Sequence, residues 1–157
     1  MQKLKILLWS AKGAGNHYYG PGKNALTLYQ EIKKQADIEV ILVHAYPNHE
    51  KLELYEKMHE ISDYKANKIL DFFKYLIRAT NVLLKYRNKG YVFHGLDVYS
   101  NIFIPALIAK FLGYPVALKV AAYPSGLSSS RSKILLFFRK ITSRFIDKFF
   151  AISSEIV

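Results

Sequence analysis

Short, largely apolar segments alternate with longer amphipathic ones along this chain, and this order constrains the fold more than any other feature. Residues 4–9, 38–43 and 116–120 are typical of strands that are buried on both faces of a sheet. Most segments between such runs have apolar residues at helical spacing. Strands that alternate with helices form parallel sheets, so we predict an α/β fold.

The remaining segments complete this prediction. We expect helices over residues 23–35, 49–60 and 98–112, a long basic helix that ends near Gly90, and a second basic helix after residue 130. Further strands are expected over residues 91–94 and 149–152. The chain of 157 residues is long enough for one domain with a substantial core. The predicted architecture is a single α/β domain with a mostly parallel sheet and helices on both faces.

The composition excludes several classes of site. The chain has no cysteine, which rules out disulfides, cysteine-ligated zinc, iron–sulfur clusters and thiol nucleophiles. The longest apolar run, residues 102–109, is too short to span a bilayer. The first residues are typical of a buried strand and lack the cleavage site of a signal peptide. We therefore expect a cytoplasmic protein.

The net charge of +11 is confined to two segments. Residues 65–89 contain seven bases and one acid, residues 131–148 contain six bases and one acid, and the rest of the chain carries ten of each. Both segments also have apolar residues at helical spacing, and in the first segment we expect one apolar side: Ile69, Phe72, Phe73, Leu76, Ile77, Leu83 and Leu84. They form either surface helices with solvated lysines or cationic faces that contact anionic lipid at the inner face of the cell membrane. No nucleic-acid motif is present, so we expect no nucleic-acid partner.

The candidate membrane-surface residues are those bases that lie among the apolar residues of the two segments: Lys74, Arg78, Lys85, Arg139, Lys140 and Arg144.

A glycine-rich loop follows the first predicted strand. Gly13 and Gly15 begin like a dinucleotide fingerprint, but Tyr18 stands where close packing requires a third glycine. Gly20, Gly22 and Lys23 resemble the end of a phosphate-binding loop, but neither the first glycine nor the magnesium-binding hydroxyl is present. The loop is either a turn into a helix or a ligand site whose backbone amides lie at a helix N-terminus.

One histidine has a position typical of a ligand site. The five histidines form no metal-ligand set, so we expect no metal. His94, however, lies at the carboxyl end of a predicted parallel strand, with Asp97 three residues later. Open α/β sheets bind ligands at such ends. A core or capping role for both residues stays open.

The chain resembles family 4 glycosyltransferases. The residues that carry this resemblance are YVFHG at 91–95, AKFLGYPV at 109–116, the glycine loop at 10–23, the segment from Lys119 to Gly126, and RFIDKFFAIS at 144–153. They occur in the family's order and extend over nearly the whole chain. The resemblance implies that residues 1–157 form the N-terminal, acceptor-side, Rossmann-like domain of a GT-B enzyme, with the C-terminal donor domain absent from this chain.

The same resemblance implies an activity. Such enzymes transfer a hexose from a nucleotide-sugar, which is a co-substrate rather than a cofactor, to a glycan or lipid-linked acceptor in polysaccharide biosynthesis, usually without a metal and with retention. We expect the fragment alone to be inactive. Substrate-binding residues would come from the glycine loop and from the strand ends: Gly13, Gly15, Gly20, Gly22, Lys23, His94, Asp97, Lys119, Ser125 and Gly126.

The chain departs from the family in two ways, and the catalytic residues stay unassigned: it lacks the paired glutamates of the family's donor domain, and it lacks a histidine that many relatives have just after the fourth strand. At that place this chain has Val120, Ala121 and Ala122. Two other functions stay open. One is a different sugar enzyme of the same fold, such as an epimerase, and the other is a basic α/β binding module without catalysis.

Overall fold

The protein is built on a sheet of six parallel strands. A computed structural model describes residues 3–10, 21–44, 58–60, 69–96, 100–120, 140 and 143–151. The strands are β1 (Leu4–Ser10), β2 (Ile38–His44), β3 (Met58–Glu60), β4 (Tyr91–Gly95), β5 (Val116–Val120) and β6 (Lys148–Ala151). Their order is β3-β2-β1-β4-β5-β6. The order reverses direction between β1 and β4, as in doubly wound folds.

Helices pack on both faces of the sheet. α1 (Pro21–Lys33) lies on one face, and α2 (Ile69–Tyr86) and α3 (Ser100–Phe111) lie on the other. Leu8 and Leu42 pack with α1, whereas Leu7 and Ile41 pack with α2 and α3, since successive strand residues point to opposite faces. The prediction of a single Rossmann-like α/β domain is confirmed.

The structure corrects one predicted element. Residues 49–60 were expected to form a polar helix, but Met58–Glu60 is a strand, and residues 49–57 lie outside the described residues. Its Cα partners are residues of β2, beginning with Leu42 opposite Met58. Backbone hydrogen bonds offered by a neighbouring strand outweigh weak local helix propensity in so short a segment. Most of the second predicted basic helix lies outside the described residues.

The core is centred on Trp9, which is fully buried. Its indole Nε1 donates a hydrogen bond of 3.2 Å to the hydroxyl of Tyr75 on α2. Its ring packs against Phe93 of β4, with ring centroids 5.1 Å apart. These contacts join the central strands to α2, so that one side of this helix is held against the sheet.

The connection from α3 to β5 also anchors the end of α2. Gly113 has a φ of 90°, a conformation that glycine adopts without strain. The next residue, Tyr114, is buried, and its hydroxyl donates a hydrogen bond of 2.5 Å to the carbonyl oxygen of Leu83 in the last turn of α2. Burial raises the pKa of Tyr114 to about 12. The hydroxyl thus donates a hydrogen bond to a carbonyl oxygen near the helix end, where the helix itself provides no backbone amide donor.

Asp147 links α3, β5 and the start of β6. Its carboxylate accepts a hydrogen bond of 2.5 Å from Lys110 Nζ and one of 2.8 Å from the backbone amide of Val116. The bond from Lys110, followed by the bond from Val116, holds the pKa of Asp147 below its usual value. Asp147 therefore orients the edge strand through charge-assisted hydrogen bonds.

We predict that Asp147→Ala lowers the free energy of unfolding by about 1–2 kcal/mol, because it removes two hydrogen bonds of a partly exposed, screened carboxylate. Asp147→Asn should cost less, because its amide oxygen can still accept from Val116. The pKa of Asp147 is lowered by folding, so its contribution is present above about pH 4 and is lost as the pH falls further. Urea denaturation at pH 7 and pH 3 measures this, and an equal difference at both pH values would contradict it.

Candidate functional site

Four polar residues whose side chains the structure describes lie at the carboxyl edge of the sheet, on the face that α1 covers. Ser10 ends β1 and His44 ends β2, and both are only 1% exposed. His94 and Lys119 are the next-to-last residues of β4 and β5. Residues two apart in a strand share a face. Ser10 and His44 therefore share the face of Leu8 and Leu42.

The register places His94 and Lys119 on this same face. His94 is the Cα partner of Leu8 on one side and of Ala117 on the other. Lys119 is two residues beyond Ala117, so it lies one step closer to the carboxyl edge. Ser10 is the Cα partner of His44. The four residues thus extend across four neighbouring strands, on both sides of the point where the strand order reverses.

His94 has the most distinctive environment of the four. Its ring stacks on Phe150 of β6, with centroids 5.9 Å apart and planes 9° from parallel. Its Nε2 atom is buried and has no hydrogen-bond partner within the described part of the chain. Burial, and then the positive charge of Lys119, lowers the pKa of His94. At neutral pH the imidazole is therefore uncharged and can exchange a hydrogen bond with a ligand hydroxyl.

Gly95, beside His94, has a packing role. A Cβ atom there would lie 2.5 Å from side-chain carbons of both Ile102 and Leu118, which are fully buried. The next residue, Leu96, donates its backbone amide to the carbonyl oxygen of Trp9 at 2.9 Å. The end of β4 is thus held firmly between α3 and its neighbouring strands, and this holds His94 in place.

The structure brings some of the predicted substrate-binding residues to one edge. Gly22 and Lys23 lie in the first turn of α1, which contains no acidic residue. β1 leads to α1 and ends at the carboxyl edge, so α1 begins on the side where His94 and Lys119 lie. The other predicted binding residues lie outside the described residues: Gly13, Gly15, Gly20, Asp97, Ser125 and Gly126.

Sequence reasoning missed Ser10 and His44 as parts of this edge. Each is the polar residue that ends an apolar run, and this position was the available signal. Their near-complete burial could not be read from the sequence, because it depends on the pairing of β1 with β2 and on the packing of α1.

The predicted membrane-surface residues lie on the surface wherever they are described. Lys74, Arg78 and Lys85 on α2 are exposed, as are Lys140 and Arg144, while Arg139 lies outside the described residues. Among the described residues, no helix is long and apolar enough to cross a bilayer. That same part of the chain holds no group of three or more side chains suited to bind a metal ion.

The sequence matches no protein-family model, and no curated protein matches it. The α/β fold with its six parallel strands is shown by the structure itself. The resemblance to family 4 glycosyltransferases, and the activity that it implies, stay predictions.

A cavity of about 230 Å³ lies at the opposite, amino edge of the sheet. Tyr91 and Tyr114 are among its lining residues, and each hydroxyl already donates a hydrogen bond, to Glu39 and to Leu83 respectively. Burial, and then the hydrogen bond to Glu39, raises the pKa of Tyr91. Both phenols are therefore neutral structural groups, and the carboxyl edge is the better candidate site.

We predict that His94 titrates below pH 6.5 and that Lys119→Met raises its pKa, because the change removes a nearby positive charge. The pKa of His94 stays below 6.5 in this variant, since burial is the larger cause. Imidazole chemical shifts followed by NMR between pH 4 and pH 8 measure this. Lys34→Met, just after the end of α1 and beside Glu31, serves as the control and should leave the pKa unchanged. A pKa of 6.5 or higher in the unmodified chain would contradict the described environment.

Proposed function

We propose that this chain is the acceptor-side domain of a glycosyltransferase, in which the carboxyl edge of the sheet forms one wall of a cleft for a nucleotide-sugar and its acceptor. The observation that carries this proposal is the position of His94 and Lys119. They lie on the face of α1, beside the point where the strand order reverses. Ligands of open α/β sheets bind at this point.

The chemistry of the edge fits a phosphorylated sugar. The beginning of α1 provides backbone amides at the positive end of a helix dipole. Lys119 adds positive charge beside His94 on the same face of the sheet. His94 adds a neutral imidazole whose buried Nε2 lacks a protein partner among the described residues. Amides and ammonium groups suit a diphosphate, and the imidazole suits a sugar hydroxyl.

Several residues in the stretch that resembles the family have a structural role in this fold. Gly95 makes room for Ile102 and Leu118, and Gly113 forms the turn before β5. The carbonyl oxygen of Pro115 accepts a hydrogen bond of 2.9 Å from the amide of Phe93. These residues join β4 to β5 and set the position of His94. We therefore assign substrate contact to His94, not to the residues that support it.

In this proposal His94 orients the acceptor, and Lys119 offsets negative charge on the donor phosphates. Neither group needs a metal for these roles. Transfer between two bound sugars depends on positioning both in one cleft. One domain supplies only one wall of such a cleft, so the 157-residue chain alone should not turn over a nucleotide-sugar.

The test uses the full protein that the gene encodes, including any sequence that follows Val157. We expect this full protein to release a nucleoside diphosphate from one member of a panel of nucleotide-sugars when polysaccharide or lipid extract is added as acceptor. His94→Ala and Lys119→Met should each lower kcat/KM at least ~10-fold. Gly22→Val should lower kcat/KM by the same factor, because the added side chain blocks approach of the substrate to the backbone amides at the start of α1.

Lys34→Met is the matched control, because it removes an exposed lysine just after the end of α1, far from the carboxyl edge, and it should retain full activity. Full activity of a folded His94→Ala variant would contradict the assignment of the carboxyl edge as the substrate-binding site. An open reading frame that stops at Val157, or a folded longer protein that consumes no nucleotide-sugar, would favour a binding module without catalysis.

A further inference from the structure

α2 is apolar on two separate sides. One side packs against the sheet and contains Tyr75, Ala79 and Leu83, which are fully buried. A second set of apolar residues points away from the sheet, and each is between 49% and 74% exposed: Leu70, Phe73, Ile77 and Leu84. The sequence pattern predicted a single apolar side that included Phe72 and Phe73 together. The structure divides that set, because Phe72, Leu76 and Leu83 pack inward while Phe73, Ile77 and Leu84 remain exposed.

Three bases lie directly beside the exposed apolar residues. At 3.6 residues per turn, Leu70, Phe73, Ile77 and Leu84 fall within an arc of about 60°. Lys74, Arg78 and Lys85 fall within the next arc of about 40°, and all three are exposed. We call these seven residues the outer face of α2. Asp71 is the one acidic residue of the helix.

A helix on the surface of a soluble domain ordinarily has one apolar side, which faces the core. The outer face instead combines exposed aromatic and aliphatic side chains with adjacent bases. This combination is typical of helices that lie in the interface of an anionic bilayer. There the apolar side chains enter the boundary between headgroups and acyl chains, and the bases contact lipid phosphates.

Charge argues against a second copy of this chain as the occupant. In a two-fold dimer the same patch meets itself, so the bases of one outer face would lie near those of its partner. The segment around α2 carries seven bases and one acid, which would make that contact repulsive. An anionic lipid surface provides the complementary charge.

The outer face also reaches the edge of the candidate site. β3 ends at the carboxyl edge with Glu60, and the chain next enters α2 at Ile69. α2 ends at Tyr86, only five residues before β4 starts at the amino edge with Tyr91. α2 therefore runs from the carboxyl edge to the amino edge. Its first turn, with the strongly exposed Leu70, lies toward the edge that holds His94 and Lys119.

We propose that the outer face of α2 binds the surface of an anionic bilayer and holds the carboxyl edge of the sheet close to the lipid headgroups. This inference rests on the exposed side chains and charges of α2 alone. It therefore stands or falls independently of the glycosyltransferase activity proposed above.

The test is co-sedimentation of the 157-residue chain with vesicles of phosphatidylcholine alone or mixed with phosphatidylglycerol. We expect binding to the mixed vesicles at low salt, weaker binding at high salt, and little binding to phosphatidylcholine. The triple variant Lys74→Gln/Arg78→Gln/Lys85→Gln should bind at least tenfold more weakly. The double variant Phe73→Ser/Ile77→Ser should also bind these vesicles at least tenfold more weakly, because the bases alone do not enter the boundary between headgroups and acyl chains.

The matched control is Lys3→Gln/Lys33→Gln/Lys34→Gln, which removes the same charge from exposed positions outside α2 and should change binding less than twofold. Circular dichroism confirms that each variant is folded. The proposal is overturned if the chain stays in the supernatant with phosphatidylglycerol vesicles at low salt, or if the control triple weakens binding as much as the α2 triple. It is also overturned if light scattering shows a dimer that the Phe73→Ser/Ile77→Ser variant abolishes without a change in vesicle binding.

Discussion

The buried hydrogen bond from the Trp9 indole to the Tyr75 hydroxyl favours the side of α2 that contains Tyr75 as the side that faces the sheet. Apolar residues alone could not make this choice, because α2 has them both on its inner side and on its outer face. A hydroxyl buried without a partner costs roughly 1–3 kcal/mol. Tyr75 finds a partner when it faces Trp9, and this rotation of the helix also places Ala79 and Leu83 in the core. The exposed position of Phe73 and Ile77 is a consequence.

With α2 in this orientation, the domain has two distinct surfaces. The carboxyl edge on the α1 face combines the start of a helix with His94 and Lys119, and the outer face of α2 combines apolar side chains with bases. The two lie on opposite faces of the sheet but approach each other at the carboxyl edge, where α2 begins. A membrane-bound acceptor could be presented to the edge residues without leaving the lipid surface. The arrangement thus gives a physical reason for the segregation of charge in the sequence.

The strands buried on both faces were predictable to within a residue or two, because nothing but a continuous apolar run fits such a position. The strand Met58–Glu60 was not predictable, because a three-residue edge strand forms through its pairing with the adjacent β2 and not through the preferences of its own residues. Helical spacing correctly predicted α2. It could not show that Phe72 packs against the core while Phe73 is exposed, because this difference depends on which side of the helix places Tyr75 beside Trp9. His94 was predicted from its place at a strand end, and Lys119 was implied by the resemblance to family 4 glycosyltransferases. Ser10 and His44 were missed because their burial depends on the packing of α1 over paired strands.

The exposure of the outer face to lipid is the central claim, and the chain's lack of cysteine allows a direct measurement. Asn81 is an exposed polar residue between the apolar and basic arcs of α2, and Thr27 is an exposed residue of α1 on the opposite face of the sheet. A polarity-sensitive fluorophore on Asn81→Cys should shift to the blue and be quenched by brominated lipids when phosphatidylglycerol vesicles are added. The same fluorophore on Thr27→Cys should not respond. Equal responses at both positions, or a response at Thr27 alone, would contradict the account.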